Sequence, residues 1–328
     1  MPTFYVSDEI HADVLAELNT LGQVHLGYGP NAVRYDDVRT DIDAVLLRAE
    51  RFDREKIGAS PRLRIIARHG VGTDNVDIEA ATDAGVWVTT TPGSNSRAVA
   101  EHVFALLLSL ARKVPYGAAQ TTSGQWAAAK PLMNGFELHG RTLGLLGFGN
   151  IARMVATIAQ GFGMHVLVHD PFVQDSAIEA AGAAPAAVDE VIAGSDVLSL
   201  HMPLTEQTAC IIDADALDSM KPGSVLINTS RGGLIDEPAL ANALQNGHLG
   251  GAGLDVLEGE SVDMKDPIPH SGIHPADVPN LIVTPHVAGQ SKEAFLTAGT
   301  GAVKAIQQAI AGQRPEHAVN NIAAPAPA

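Results

Sequence analysis

Brief apolar runs alternate with amphipathic stretches of helical period along almost the whole chain. Thr3–Val6, Ala44–Leu47, Leu63–Ala67 and Val86–Thr89 are apolar runs bounded by polar residues or glycine, the pattern of strands buried on both faces. Between them, Asp8–Asn19 and Asn75–Ala84 carry apolar residues at helical spacing. The first has Asp8 near its start and the second closes at Gly85. A second series runs from Gly140 to about His286. Its predicted strands are Leu143–Leu146, Met164–His169, Val197–Leu200, Ser224–Asn228, Gly253–Val256 and Leu281–Thr284. Strand and helix in regular alternation predict an α/β architecture of two doubly wound parallel sheets. A long helix, Arg97–Arg112, links the two series. Its centre is apolar on every side, which predicts burial all round, between domains or subunits. The last helix, Lys292–Ala311, reads as returning to the first block. The predicted division is a discontinuous domain of residues 1–99 and 288–328, with a domain of residues 100–287 inserted in it. The cleft at the two crossings is the expected active site.

Composition narrows the class. A chain of 328 residues with 46% hydrophobic positions can bury two ordinary cores. A formal net charge of −16 argues against nucleic acid or an anionic membrane as a partner, and requires a local basic pocket for any anionic substrate. The single cysteine, Cys210, excludes an internal disulfide and fits a reducing compartment. Residues 1–10 lack the basic start and apolar core of a signal peptide, and no apolar run is long enough to span a bilayer. A cytoplasmic location is expected. The tail 323–328, alternating proline and alanine, is expected to carry no ordered structure.

The densest chemical signal is Thr142–Ala152, followed by Asp170. The strand Leu143–Leu146 runs into Gly147-Phe148-Gly149-Asn150-Ile151-Ala152, a Gly-x-Gly-x-x-Ala turn that opens a helix. That helix stops at Gly161-Phe162-Gly163, and the next strand delivers Asp170 just past its end. The order and spacing are a dinucleotide fingerprint. Gly147 takes the sharp turn, Gly149 lets a pyrophosphate approach the backbone, and Ala152 still permits close helix–strand packing. Amides at the helix start favour phosphate charge. Asp170 would accept from the adenosine ribose 2′-hydroxyl. A 2′-phosphate would meet a like charge, and Pro171-Phe172 offers no arginine to neutralise it. NAD rather than NADP is the predicted cofactor.

Ligands of open parallel sheets sit outside the carboxyl ends of the strands. Asp170, His201, Arg231, Asp255 and His286 stand just past the predicted strands of the second series, and Glu260 follows Asp255 closely. These residue types fit interconversion of a 2-keto and a 2-hydroxy acid. Arg231 offers a planar bidentate donor for a carboxylate and a carbonyl. His286 can protonate the oxygen that becomes basic as hydride reaches carbon, and take the proton back in reverse. A nearby carboxylate would hold the imidazole protonated and oriented. Taken singly, each residue also has a bland reading: a loop-bridging arginine, a structural histidine, a solvated glutamate. Their shared place at one sheet edge favours the catalytic one.

With these residues in place the chain resembles the D-isomer-specific 2-hydroxyacid dehydrogenase family, which includes phosphoglycerate dehydrogenases and hydroxypyruvate reductases. The matching stretches are Gly70–Asp77, Pro92–Asn95 through Ala100-Glu101-His102, the nucleotide turn, Leu200–Thr205, Asn228–Asp236, Gly253–Val256 and Thr284-Pro285-His286. The resemblance implies a Rossmann NAD domain inserted in a flavodoxin-like substrate domain. It implies a catalytic set of Arg231, Glu260 and His286. Periodicity does not separate Glu258 from Glu260; family spacing selects Glu260. It further implies that Val71-Gly72 backbone and Asn95 hold the substrate carboxylate. The implied cofactor contacts are Gly147, Gly149, Asn150, Ile151 and Asp170 on the glycine-turn side. His201 and Pro203 are placed toward the adenosine and Asp255 and Thr229 toward the nicotinamide, and Thr208, Ser230 and His286 complete the implied cofactor contacts.

This sequence departs from the family pattern at Ser261, where a proline usually follows the glutamate, and in a longer loop, Ser261–Asn280. The pair His270-x-x-x-His274 in that loop is set aside as a metal site, because prolines interrupt it and no cysteine is near. Arg48 matches a position where phosphoglycerate dehydrogenases place a phosphate-binding arginine, with Arg51 and Arg68 adding charge. That hints at a substrate with a second anionic group, against an equally plain reading as ordinary surface charges. The expected function is NAD-dependent hydride transfer between a small D-2-hydroxy acid and its 2-keto acid. The alternatives are an NAD(H)-sensing dimeric binding protein and a formate- or phosphite-type dehydrogenase. The apolar helix and the following Val114–Met133 segment predict a homodimer contact.

Overall fold

The computed structural model describes residues 1–278 and 280–322; the proline-alanine tail lies outside the described residues. The chain forms two compact units, Met1–Asn95 together with Gln290–Ala328, and Ser96–Gly289.

The first unit is built on five parallel strands, β1 (Thr3–Val6), β2 (Gln23–Leu26), β3 (Ala44–Leu47), β4 (Ile65–Arg68) and β5 (Trp87–Thr89), in the order β2-β1-β3-β4-β5. That is the flavodoxin-like doubly wound order. Side chains alternate across the sheet. Phe4, Val6, Leu46, Ile65 and Trp87 pack with Val14, Leu18, Val303 and Ile306 on one face. Tyr5, Val45, Leu47, Ile66 and Val88 meet Tyr35, Phe52 and Ile57 on the other. The helix Lys292–Ile310, capped by Ser291, supplies part of the first layer, so the C-terminal segment completes a core begun at the N-terminus.

The second unit holds seven parallel strands: β6 (Thr142–Leu146), β7 (His165–His169), β8 (Ala184–Pro185), β9 (Val197–Leu200), β10 (Val225–Asn228), β11 (Gly251–Leu254) and β12 (Leu281–Val283). Their order is β12-β11-β10-β9-β6-β7-β8, with strand order reversing between β6 and β9, the Rossmann switch point. Leu143, Leu145, Val166, Val168, Val197 and Ile227 pack under the helices Ser96–Ala111 and Asn150–Gly161. Leu146, Leu198, Leu200, Leu226 and Leu254 pack with Leu217, Leu240 and Leu244 on the other face. Both faces are covered, as the unbroken apolar runs of these strands demand. No helix among the described residues is long and apolar enough to cross a membrane.

Two expectations need correction. The first helix spans Ala12–Leu21, not Asp8–Asn19, because Asp8 is spent on the Ser7 hydroxyl and the Ala49 amide while His11 caps the helix. Within the single chain the long helix leaves Arg97, Glu101 and Ala105 exposed as a stripe at helical spacing, and the expected burial between subunits concerns that face. The expected strand Gly253–Val256 lies two residues earlier, at Gly251–Leu254, which leaves Asp255 as the first residue beyond it. Strands β2 and β8 had no apolar run to betray them.

Candidate active site

The glycine turn is shaped for a dinucleotide. Gly147 has φ +93°, and a Cβ there would overlap the His201 carbonyl oxygen. Nothing lies near where a Cβ on Gly149 would project, so the space over the backbone is open. The helix Asn150–Gly161 has no side-chain cap and no acid in its first turn, which leaves its amides and positive pole to an anion. Ala152 is fully buried. Asp170 folds back on this turn: its Oδ2 accepts from Phe148 N at 2.7 Å and its Oδ1 from Phe172 N at 2.8 Å. Beside it Val168–Pro171, Val173, Ile178 and Pro185–Ala187 line a cleft of about 400 Å³. The cleft sets apolar Val168, Val173 and Ile178 beside the carboxylates of Asp170 and Asp175, a combination that fits the adenosine half of a dinucleotide. The residues present therefore fit the cofactor.

Further along the same sheet edge, most of the expected contact residues have internal duties. Ser230 donates to Leu200 O at 2.7 Å. Thr208 donates to Pro203 O at 2.7 Å and so shapes the 203–208 turn. His201 has Ser199 Oγ 2.9 Å from its Nε2, and burial pushes its pKa down to about 4, so it is a neutral imidazole. The buried Thr229 Oγ1 and His201 Nδ1 have no hydrogen-bond partner among the described residues. Buried polar atoms left so call for a ligand or water.

Asp255 is 1% exposed, and its carboxylate accepts three bonds: from Thr284 Oγ1 at 2.5 Å, Val287 N at 2.9 Å and Ala288 N at 2.8 Å. The Thr284 proton is spent on Asp255, so His102 Nε2, 3.0 Å from Thr284 Oγ1, must be the donor of that pair. His102 and Thr284 entered the sequence reading only as members of stretches that match the family, with no role of their own. A polar histidine inside an apolar helix was the available signal.

This brace grips the residues on both sides of His286, which has φ +53° and whose amide donates to Asp255 O and Thr284 O. A non-glycine residue held there costs roughly 1–3 kcal/mol, so the surrounding bonds must over-determine it. His286 Nδ1 lies 2.7 Å from Glu260 Oε2, and Glu260 Oε1 accepts from Leu257 N at 3.1 Å. A carboxylate only accepts, so the proton of that bond sits on Nδ1 and Nε2 is the nitrogen whose proton can come and go. The Glu260 hydrogen bond raises the His286 pKa above its ordinary value. Burial opposes the shift, the Glu260 and Asp255 charges add to it, and the Arg231 guanidinium works against it. Arg231 is thus electrostatically coupled to the same imidazole. Its Nη1 donates to Ser230 O at 2.7 Å, and its carbonyl accepts from Asn228 Nδ2 at 2.8 Å. Glu258 is exposed, and Glu260 is the acid that meets the histidine.

In the first unit, Arg48 Nη1 donates to Glu9 O at 3.0 Å, and its guanidinium lies 4.4 Å over the Phe295 ring. Burial lowers its pKa from the ordinary value. Val71 is exposed, and Gly72 O accepts from Arg68 Nε at 2.8 Å. Asn95 has a buried amide oxygen with no partner among the described residues. His274 Nδ1 accepts from Ala276 N, and no group of metal-ligating side chains is gathered among the described residues.

Among known proteins, the family model described as D-isomer specific 2-hydroxyacid dehydrogenase, NAD binding domain, matches residues 104–288. The D-3-phosphoglycerate dehydrogenase of Mycobacterium leprae is 36% identical over 321 residues, 98% of this chain, and the chain spans 59% of that relative's length. The glyoxylate reductase of Korarchaeum cryptofilum is 38% identical over 256 residues, 77% of this chain and 75% of the relative. A crystal structure of a protein from Thermus thermophilus superposes with a TM-score of 0.84 at 33% identity, covering 97% of this chain and 100% of the other. The cofactor is a nicotinamide dinucleotide. With its flavodoxin-like and Rossmann sheets, the chain belongs to the D-isomer specific 2-hydroxyacid dehydrogenase family.

Proposed function

We propose that this chain is an NAD-dependent D-2-hydroxyacid dehydrogenase that interconverts a small 2-keto acid and its D-2-hydroxy acid. The observation that carries the reading is the 2.7 Å bond between Glu260 and His286 Nδ1, on an imidazole that also feels Arg231. When bound, the nicotinamide supplies or accepts the hydride. Arg231 holds the substrate carboxylate and polarises the reacting carbonyl. His286 gives its Nε2 proton to the developing alkoxide and recovers it in reverse, with Glu260 fixing the ring. Acid–base assistance of this kind contributes roughly a hundred- to ten-thousand-fold in rate. The backbone of Val71-Gly72 and the Asn95 amide take part in carboxylate binding. Asp170 accepts from the ribose 2′-hydroxyl and so prefers NAD to NADP. Gly149, Asn150 and Ile151 hold the pyrophosphate.

Arg48, half-buried and stacked, is the cation for a second anionic group on the substrate. The name of the mycobacterial relative, a D-3-phosphoglycerate dehydrogenase, supports that class. Residues 1–99 with 288–328 act as the substrate domain and 100–287 as the cofactor domain. Exposed Val114, Trp126 and Leu132 support a homodimer contact, and a single cysteine supports a cytoplasmic setting.

NADH oxidation should be screened with glyoxylate, pyruvate, hydroxypyruvate, 3-phosphohydroxypyruvate and 3-sulfopyruvate, and NAD reduction with formate and phosphite. Turnover of at least one keto acid, fastest with a second anion, is expected. Tight NADH binding without turnover of any of them would favour a cofactor-sensing protein instead.

A further inference from the structure

Glu237 opens the helix Glu237–Gln245, directly after its cap Asp236. A glutamate in a first helical turn is ordinarily solvated, yet this one is 1% exposed. Burying a carboxylate is costly unless its oxygens are bonded. Both are: Oε1 accepts from Glu258 N and Oε2 from Gly272 N, each at 2.7 Å. Burial pushes the Glu237 pKa up, the two amides pull it back, and the charges of Glu258 and Glu260 push it up again.

The two amides stand at the two ends of the loop that carries Glu260. Glu258 opens the turn Glu258–Ser261, and Gly272 follows the turn Ile268–His270. There is little slack around them. A Cβ on Gly232 would overlap the Leu257 carbonyl and the Glu258 nitrogen, one on Gly259 would overlap Pro267 O, and one on Gly272 would overlap the Pro238 ring. Glu260 reaches His286 from within this frame, with its other oxygen on Leu257 N.

We propose that Glu237 is a positioning residue, whose buried carboxylate pins both ends of the 258–272 loop and thereby sets the Glu260–His286 hydrogen bond. The inference deepens the dehydrogenase reading and rests on its assignment of Glu260 and His286. Glu237 acts through the loop alone. Among the charged groups that act on His286 are Glu260, Asp255 and Arg231, and among those that act on Glu237 are Glu258 and Glu260.

The test is E237Q in the full chain, which keeps the side chain's shape but leaves only one acceptor for the two amides. The His286 imidazole is titrated by NMR in the wild type, E237Q and E260Q, with no substrate present. In E237Q its pKa is expected to fall in the direction seen for E260Q. On the best keto acid, kcat is expected to fall roughly tenfold to a hundredfold, with NADH affinity unchanged and thermal unfolding recorded alongside. An unchanged His286 titration in a folded E237Q overturns the proposal, whatever happens to stability. A wild type inactive on every keto acid, with the titration shift present, defeats the catalytic reading and leaves the clamp supported. Should E237Q not fold, hydrogen exchange on the wild type decides. Protected Glu258 and Gly272 amides support the clamp, and exchange at the rate of exposed amides overturns it.

Discussion

His286 gathers three constraints on one residue: a left-handed backbone, a carboxylate on Nδ1, and an opposing guanidinium. Its raised pKa has a definite sign. Reduction of a keto acid needs the protonated ring, so kcat/KM should hold at acid and neutral pH and fall as pH rises through the His286 value. Oxidation of the hydroxy acid should show the mirror image. The same shift makes a stability contribution that is present below the unfolded value of about 6.5 and lost as pH rises through the folded one. E260Q removes the largest cause of the shift. The descending limb for reduction should move to lower pH, with activity at neutral pH down on the order of a hundredfold. Coincident pH profiles for E260Q and the wild type would contradict the role given to Glu260. The sequence could not choose between Glu258 and Glu260 without the family's spacing, because both lie in one acidic stretch. The 3₁₀ turn Glu258–Ser261 makes the choice physical, leaving one side chain exposed and sending the other to the imidazole.

At the scale of elements, the glycine turn makes the sharpest demand on residue type. Gly147 combines φ +93° with the His201 carbonyl at its flank, so alanine there is strained in the backbone and blocked in space. G147A should lose about 1–3 kcal/mol of stability and bind NADH at least tenfold more weakly, read by thermal unfolding and fluorescence titration. Unaltered values for both would show the turn to be more tolerant than this geometry allows. The turn, the helix after it and Asp170 were legible because the motif is local and each residue has its own reason. Strands buried on both faces, such as Val197–Leu200, were legible for the same cause. β2 was not, since Gln23–Leu26 is an edge strand with no fully buried residue and no apolar run. β8 was not, being only Ala184-Pro185. The glycines of Gly251–Leu254 hid where that strand begins.

At the scale of the whole molecule, sheet order explains how residues far apart in sequence meet. β10, β11 and β12 are neighbours in the second sheet, so Arg231, Asp255 and His286, each just past one of them, reach the same edge. Parallel strands made that convergence predictable. The Asp255–Thr284–His102 brace and the Glu237 clamp were not predictable, because each joins side chains to loop amides whose positions only the folded chain defines. The exposed Val114, Trp126 and Leu132 belong to this scale as well. Sedimentation equilibrium should give twice the chain mass, and W126E should shift the population to the single chain. A wild type monomeric at micromolar concentration would remove the dimer. The most direct test of the central claim is the kcat/KM of R231A for NADH-dependent reduction of the best keto acid. The proposed Arg–Glu–His set predicts a loss of at least about a hundredfold, and a value within twofold of the wild type would contradict it.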